Sequence, residues 1–320
     1  MDRILAVDMG GTSTRFAWFE PGAGAAGAAP VPAGAPLRLA TAGAPDFPAL
    51  LDQARERGFD PARAGLTVFG VPGAVRGRRC DPPNIAWDID LDAVGLPPDR
   101  ALMLNDFVAQ AWAIRSPLGR AAEVLQAGEP EAFGPGAAVA ALGAGTGLGH
   151  CALVPGPGGD AAVPSEGGHA ALAFDPGPEA DFARFALERT GSVFLDREDV
   201  VSGAGLALLV EFHTGERLDP VLAEASLDPT GEAAAWFARF YGRAARDWVL
   251  SVLALGGIWI SGGIAARRPE LVRHPAFLAE FRRSPDYADL LARVPVRRMT
   301  DPDAGLWGAA VCGTQRLARG

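Results

Sequence analysis

Two segments of the chain share one form, in which a short apolar strand, a glycine-rich turn and a second apolar strand follow one another. The first spans residues 3–20, with strands predicted at 4–8 and 14–19 around a Gly-Gly turn. The second spans residues 137–154, with the sequence LGAGTGLG between its arms. Glycine allows backbone N–H groups to turn inward and approach an anion closely. This pattern predicts two related halves, each opening on a hairpin that binds phosphate.

Strands and helices alternate along the remaining sequence, which is typical of the α/β class. Short apolar runs predict strands at residues 66–71, 101–104, 257–261 and 294–299. Apolar residues at helical spacing predict helices over residues 46–58, 107–114, 179–190, 203–213, 231–254 and 304–318. Two segments carry neither pattern: residues 22–36 are a low-complexity loop, and residues 72–90 are predicted to form an irregular loop.

The length and charge of the chain limit the classes of protein to which it can belong. Its 320 residues suffice for two domains. A net charge of −9 argues against a nucleic-acid-binding surface, which would be basic. No run of 18 apolar residues is present, so a membrane span is not expected. The N-terminal apolar run stops at Asp8 before Gly-Gly, unlike a secretory signal, and we therefore expect a cytoplasmic protein.

The chain contains no lysine, because all 29 basic residues are arginine. A P-loop, a protein-kinase site and a Schiff-base mechanism each require a lysine and are excluded. The cysteines, Cys80, Cys151 and Cys312, are too far apart in sequence for a C-x₂-C zinc motif, and a disulfide framework is not indicated. Buried thiols are the expectation for all three.

The first glycine turn offers donors for a phosphate and a carboxylate for a cation. Gly10 and Gly11 would present backbone N–H groups, and the Thr12 hydroxyl adds a donor. Asp8, at the strand end, could hold Mg²⁺ through water, because this ion prefers oxygen ligands and keeps several waters. The alternative is an ordinary hairpin turn.

The second turn contains Gly145, Thr146 and Gly147 within a run of alternating glycines. A dinucleotide-binding fingerprint requires G-x-G-x-x-G, and this spacing fails from either possible start. A strand, and no helix, is predicted to follow. The turn is therefore interpreted as a phosphate-binding hairpin, which disfavours a dehydrogenase.

Asn105 and Asp106 directly follow the apolar run ALML. Side chains at the carboxyl end of a strand commonly face a ligand in α/β folds. Phosphoryl transfer to an alcohol needs a base that accepts the hydroxyl proton, and an Asp at this position suffices. The alternative is that Asp106, or Asn105, caps the following helix.

Three further side chains have the chemistry to bind a sugar. Glu166 and His169 lie in SEGGH, and Glu198 follows in a charged run of four residues. Carboxylates accept hydrogen bonds from vicinal hydroxyls, and a histidine can donate or accept. The alternative for Glu198 is a solvated charge. Finally, Gly262 and Gly263 end an apolar strand and offer flat backbone on which a nucleoside could lie.

Six motifs in this order and spacing resemble the bacterial glucokinases of the hexokinase–actin–Hsp70 superfamily: DMGGT, LNDF, GAGTGLG, SEGGH, EDVVSG and SGGI. The resemblance runs nearly end to end. It implies an α/β fold of two actin-like (ribonuclease-H-like) domains flanking a nucleotide and sugar cleft. We expect a small domain of residues 1–104 plus 302–320 and a large domain of residues 105–301.

The resemblance also implies the roles of the residues. Asp106 would be the catalytic base that takes the proton from the 6-hydroxyl of glucose as the γ-phosphate of ATP is transferred. The sugar would be bound by Asn105, Glu166, His169 and Glu198. ATP would be bound by the two phosphate motifs and the adenosine motif, with Mg²⁺ near Asp8. These ATP-binding residues would be Gly10, Gly11, Thr12, Gly145, Thr146, Gly147, Gly262 and Gly263.

Some alternatives stay open at this point. Fructose, mannose or an N-acetylated amino sugar could replace glucose, and a non-catalytic sugar sensor is a further alternative, although a sensor would need neither phosphate turn. A DNA-binding regulator is disfavoured by the acidic charge. The expected partners are the hexose and MgATP, with no nucleic acid and no membrane, and both a monomer and a homodimer are compatible with the sequence.

Overall fold

The computed structural model describes residues 3–22, 28–134 and 136–319. These residues form two compact units: unit 1 draws on residues 1–121, 155–162 and 301–320, and unit 2 on residues 122–154 and 163–300. The predicted domain boundary between residues 104 and 105 stays a prediction; in the structure, residues 105–121 group with unit 1. Part of the predicted low-complexity loop, residues 23–27, lies outside the described residues.

The secondary structure elements are as follows. The strands are β1 Ile4–Met9, β2 Ser13–Glu20, β3 Val31–Pro32, β4 Leu37–Ala40, β5 Leu66–Val71, β6 Val75–Arg76, β7 Arg79–Cys80, β8 Ile89–Asp90, β9 Ala101–Asn105, β10 Glu123–Gln126, β11 Val139–Ala144, β12 Leu148–Gly156, β13 Gly159–Ser165, β14 Gly257–Ser261 and β15 Val296–Arg298. The helices are α1 Phe47–Glu56, α2 Asp106–Trp112, α3 Pro117–Ala121, α4 Pro178–Thr190, α5 Arg197–Val200, α6 Gly203–Thr214, α7 Pro220–Ser226, α8 Glu232–Val252, α9 Gly262–Arg267, α10 Pro269–Arg273, α11 Pro275–Phe281, α12 Ala288–Arg293 and α13 Ala304–Leu317.

Unit 1 is built on a mixed sheet with the strand order β3-β2-β1-β5-β9, in which β4 also pairs with β2. Strands β1, β5 and β9 are parallel, and β2 runs antiparallel to β1. Both faces of β1 are buried, which explains its continuous apolar sequence. Ile4 and Ala6 belong to the core that includes helix α13, and Leu5 and Val7 to the core that includes helix α1.

Unit 2 is built on a sheet with the order β10-β15-β14-β11-β12-β13. Its core lies against the long helix α8, whose aromatic residues recur at helical spacing. Trp236, Phe237, Phe240 and Trp248 are all buried, which confirms the predicted apolar stripe. The buried charge of Arg243, also on α8, is paired with Glu179 and Glu280.

The two sheets repeat one strand order, which confirms the two related halves predicted from the glycine turns. In each sheet an antiparallel hairpin is followed by two further parallel strands: β2-β1-β5-β9 in unit 1 and β12-β11-β14-β15 in unit 2. Each glycine turn lies at the tip of its hairpin. The parallel strands β5 and β14 match the predicted bounds, and the three cysteines are buried as predicted.

The sequence-based prediction for residues 72–90 is wrong in one respect. This segment was predicted to be irregular, but it carries a small antiparallel sheet with the order β6-β7-β8. Strands of two residues leave no periodicity that could be read from sequence. No helix of the described residues is both long enough and apolar enough to cross a bilayer.

Candidate active site

The first glycine turn begins beside a cluster of charges at the end of β1. Asp8 lies directly opposite Arg15 on the antiparallel strand β2 and forms an ion pair with it. The same guanidinium group bonds Asp303 at 2.7 Å, just before helix α13. Gly305 allows this close approach, because a Cβ there would lie 2.7 Å from the Asp8 carboxyl carbon. Burial raises the pKa of Asp8, Arg15 opposes this shift, and Asp303 adds to it.

The turn itself is held in a defined shape by hydrogen bonds on both sides. The Gly10 N–H donates to the Ser13 carbonyl at 3.0 Å, and the Gly10 carbonyl accepts from the Thr41 hydroxyl at 2.6 Å. The Thr12 side chain at the tip is exposed. A Cβ on Gly11 would lie 2.8 Å from the carbonyl oxygen of Asn84, so residues 72–90 approach the turn as closely as glycine permits. The turn therefore leaves its tip available to a ligand.

Asn105 and Asp106 lie where strand β9 ends and helix α2 begins. Asn105 is the N-cap of α2: its Oδ1 accepts from the N–H groups of Phe107 and Val108, and its amide donates to the Gly73 carbonyl. Capping, one of the two roles considered for this pair, is thus performed by Asn105. Asp106 occupies the first helical position and accepts from Phe107 N–H at 2.8 Å.

The Asp106 carboxyl group has the electrostatic environment of a proton acceptor. Burial raises its pKa to about 6, and the negative charge of Asp8 adds to the shift. Hydrogen bonds from the Phe107 and Asp106 backbone and from the Asn105 side chain act in the opposite direction. A base works best when its pKa lies near the working pH. Asp106 is therefore ionised at neutral pH and yet more basic than an ordinary aspartate.

In unit 2, hydrogen bonds within the second glycine turn, to helix α6 and to Tyr241 hold the turn in place. Gly145 N–H donates to the Gly147 carbonyl at 2.8 Å, and the Gly145 carbonyl accepts from Gly203 N–H, at the start of α6, at 2.9 Å. The buried hydroxyl of Tyr241 accepts from Ala144 N–H and donates to the Ser261 carbonyl, which joins the ends of β11 and β14.

The Gly262–Gly263 pair lies against the same turn. Gly262 has φ +86°, and a Cβ there would lie 2.5 Å from the Ala144 carbonyl oxygen, so any side chain is excluded by backbone. The Gly263 amide nitrogen lies 3.9 Å from where a Cβ on Gly145 would stand. The structure thus brings together within unit 2 the glycine residues predicted to bind ATP at positions 145, 147, 262 and 263, and leaves Thr146 exposed.

Glu198 is in direct contact with the second glycine turn. Its Oε2 accepts from Leu148 N–H at 2.7 Å, and a Cβ on Gly147 would lie 2.5 Å from this oxygen. The alternative of a freely solvated charge is therefore wrong for Glu198, because the tertiary fold brings helix α5 onto the turn. Leu148 also contacts the SEGGH segment, since a Cβ on Gly168 would lie 2.5 Å from its carbonyl oxygen.

Glu166 and His169 flank this contact in unit 2, and both are exposed. The His169 ring nitrogen Nδ1 lies 3.1 Å from Oδ2 of Asp196. The hydrogen bond to Asp196 raises the pKa of His169, and the charges of Glu198 and Glu166 contribute in the same direction. The two glutamates of unit 2 that are predicted to bind sugar therefore lie close enough to His169 to act on its charge.

Sequence reasoning missed several residues of these sites. Arg15, Asp303 and Tyr241 act on the glycine turns through contacts that join distant parts of the sequence. The sequence did indicate Arg15. In the predicted hairpin, Arg15 lies about as far after the turn as Asp8 lies before it, so the two residues are expected to face each other. No local signal marked Asp303 or Tyr241.

Comparisons with known proteins show the family of the chain. The sequence profile of the family described as "Glucokinase" matches residues 5–316. A glucokinase of Synechocystis is 28% identical, with 98% of each chain covered. A glucokinase of Stenotrophomonas maltophilia is 31% identical, with 96% of this chain and 93% of the relative covered.

Solved structures show the same fold. The crystal structure of a glucokinase from an Antarctic psychrotroph gives a TM-score of 0.83 at 26% identity, with 98% of both chains covered. A ROK family glucokinase from Streptomyces griseus, solved with glucose and AMPPNP, gives a TM-score of 0.58 at 18% identity, with 96% of this chain and 98% of that chain covered. The second likeness supports the fold alone.

Two α/β units, each with a glycine-rich hairpin, define an actin-like protein of the sugar-kinase class. With the profile match over most of its length, the chain belongs to the glucokinase family of the hexokinase–actin–Hsp70 superfamily. Members of this family are ATP-dependent kinases, and the fold class predicted from sequence is confirmed.

Proposed function

We propose that this protein transfers the γ-phosphate of ATP to the 6-hydroxyl of glucose, giving glucose 6-phosphate and ADP. The observation that carries the proposal is Asp106, a half-buried carboxylate just after a parallel strand with its pKa raised to about 6, in a chain of the glucokinase family. Since ATP is a cytoplasmic metabolite, the proposed place of action is the cytoplasm.

Asp106 serves as the general base. Its carboxylate orients the sugar hydroxyl and accepts the proton as the oxygen attacks the γ-phosphorus atom. The transition state of phosphoryl transfer demands little covalent chemistry from the protein, so positioning and charge stabilisation dominate. The short hydrogen bond from Phe107 N–H and the cap formed by Asn105 fix the carboxylate at the start of α2.

Backbone groups of the two glycine turns bind the triphosphate. Gly10, Gly11 and Thr12 act in unit 1, and Gly145, Thr146 and Gly147 act in unit 2, where the N-terminus of α6 adds a favourable dipole. The Gly262–Gly263 backbone is proposed to lie against the nucleoside. Backbone donors fit a chain that has no lysine for this purpose.

The residues present fit a magnesium ion held largely through water. The described residues include no cluster of three or more His, Cys, Asp or Glu side chains that could hold a metal directly. Mg²⁺ commonly keeps several waters and binds one or two carboxylates together with substrate phosphates. Asp8 would supply the carboxylate, because it lies at the end of β1 beside the first glycine turn. When bound, the ion neutralises charge on the phosphates.

Glucose is proposed to be bound by Asn105, Glu166, His169 and Glu198. Glu198 keeps an acceptor oxygen, Oε1, beside the one that bonds Leu148 N–H. A site built to hydrogen-bond several hydroxyls rejects stereoisomers that leave those groups unpaired. This argument favours one hexose over its epimers.

The function is tested by measuring ADP release with glucose, fructose, mannose and N-acetylglucosamine at equal concentrations. We expect the highest kcat/KM with glucose, by at least about 10-fold. A higher value with another hexose would assign the enzyme to that sugar. ADP release at the sugar-free rate with all four sugars would contradict kinase activity and leave the sensor alternative.

The contact between Glu198 and the second turn gives a prediction on sugar affinity. Gly147→Ala places a methyl group at 2.5 Å from Glu198 Oε2, so the carboxylate has to move and its bond to Leu148 N–H is lost. We expect the glucose KM to rise about 10-fold with little change in thermal stability, because the displaced group is the end of a flexible side chain.

The matched control is Gly145→Ala in the same turn. A Cβ on Gly145 approaches Gly263 N no closer than 3.9 Å and leaves Glu198 in place. An equal rise of the glucose KM in both variants would show that Glu198 does not connect the turn to the sugar.

A further inference from the structure

Both carboxyl oxygens of Asp196 have a partner within the protein. Its Oδ1 accepts from Asp199 N–H at 2.8 Å, and its own N–H donates to Asp199 Oδ2 at 3.0 Å, which forms a capping box at α5. Its Oδ2 lies 3.1 Å from His169 Nδ1. The Asp196 side chain is 17% exposed, whereas that of His169 is 58% exposed.

The backbone around this pair is tied together as well. Asp196 forms a β-bridge with Ala171, and Arg197 N–H donates to the Ala170 carbonyl at 3.1 Å. The Arg197 guanidinium group donates to the Gly167 carbonyl at 3.0 Å. The segment that carries His169 is therefore held against the segment that carries Asp196, and the distance between the two side chains does not depend on a mobile loop.

A carboxylate that is hydrogen-bonded to one nitrogen of an imidazole ring determines whether the other nitrogen is free to bind a ligand. With Asp196 as acceptor, the proton of His169 stays on Nδ1, and Nε2 is the ring atom left to meet a ligand. Glu198, Glu166 and Asp199 add negative charge around the ring, and the charged Arg197 and the buried neutral His150 are the other titratable neighbours. This surplus of carboxylates stabilises positive charge on the ring and so raises the pKa of His169.

We propose that Asp196 is a positioning residue for sugar binding, which orients His169 and holds a proton on Nδ1 so that Nε2 is the ring atom that hydrogen-bonds a hydroxyl group of the hexose. The inference rests on the proposed function, because His169 is taken to bind the sugar. Helix capping alone does not require this residue type, since serine caps a helix equally well and would leave Nδ1 without a carboxylate.

The test is therefore Asp196→Ser, which retains a capping oxygen and removes the carboxylate from His169. We expect the glucose KM to rise about 10-fold, with the KM for ATP and the melting temperature unchanged. In a His169→Ala background the same substitution should add nothing, because the two residues act as one unit. A glucose KM within twofold of the wild type, or additive effects in the cycle, would overturn the proposal.

A second measurement does not depend on catalysis. Imidazole ¹H–¹⁵N spectra of the free protein contain signals from four histidines, and His169→Gln identifies the signal of His169. Removing the carboxylate should lower the pKa of His169, so its titration should move to lower pH in Asp196→Ser. An unchanged titration would contradict the pairing. If the pKa of His169 is lower in Asp196→Ser but wild-type protein phosphorylates no hexose, the proposed function is wrong, while the pairing of Asp196 with His169 is confirmed.

Discussion

Replacing Asp106 by Asn is expected to lower kcat for glucose phosphorylation by about 10²–10⁴ while the protein stays folded. An amide keeps the size of the carboxyl group and its hydrogen bond to Phe107 N–H, but it cannot accept the hydroxyl proton. Burial and the nearby charge of Asp8 disfavour the ionised carboxyl group, so its replacement should not reduce stability. The check is steady-state kinetics together with a thermal melt.

Asp46→Asn is the matched control, because Asp46 is also at the start of a helix of unit 1, where its Oδ1 accepts from Ala49 N–H. Asparagine caps as well as aspartate, and kcat should be unchanged. The pH profile is a second readout on wild-type protein: kcat/KM should fall as the pH drops through about 6, where Asp106 becomes protonated. A kcat above half the wild-type value in Asp106→Asn would refute the role of base.

Replacing Arg243 by Ala is expected to lower the free energy of unfolding by about 3 kcal/mol, because the buried carboxylates of Glu179 and Glu280 lose their most buried partner. They keep only the longer contacts, at 3.2–3.4 Å, with Arg239, Arg246 and Arg283. Arg243 is 2% exposed and bonds Glu179 at 2.7 Å and Glu280 at 2.8 Å. It thereby joins α8 to α4 and α11 within unit 2. Urea denaturation followed by tryptophan fluorescence measures the change, since Trp236 and Trp248 lie on the same helix.

The control for this prediction is Arg184→Ala on helix α4. Arg184 pairs with Asp181 at 3.3 Å, but both side chains are exposed, and such surface pairs contribute about 0–1 kcal/mol. Equal losses in the two variants would contradict the special role of burial. Replacing Arg243, Glu179 and Glu280 together by apolar residues should recover part of the loss, because none of these three buried positions then carries an unpaired charge.

The strands that carry the site were predicted closely from sequence because their signals are local. β5 and β14 are short apolar runs bounded by glycine or proline, and the structure has them at the predicted residues. β15 is shorter than predicted, at Val296–Arg298, because apolar residues continue beyond the paired part of the strand. The two-residue strands β6, β7 and β8 were missed. They are defined by their pairing with one another, because two residues are too few to show a periodic pattern of apolar side chains.

The separate roles of Asn105 and Asp106 could not be predicted from the neighbouring residues alone. Both residues can cap a helix or face a ligand, and the sequence left both roles open for each. The structure assigns the cap to Asn105 and leaves Asp106 with a carboxyl group whose pKa is raised. That pKa depends on burial and on Asp8, which lies on another strand of the sheet.

The sequence by itself determined the α/β class, the two glycine hairpins and the family resemblance, because each is written in neighbouring residues. Only the tertiary structure decided that Arg15 pairs Asp303, that Glu198 contacts the second glycine turn, and that Asp196 pairs with His169. These pairings join residues that lie 288, 50 and 27 positions apart in the chain. Their chemistry arises from burial and proximity, which the fold creates and which no local pattern of residues encodes.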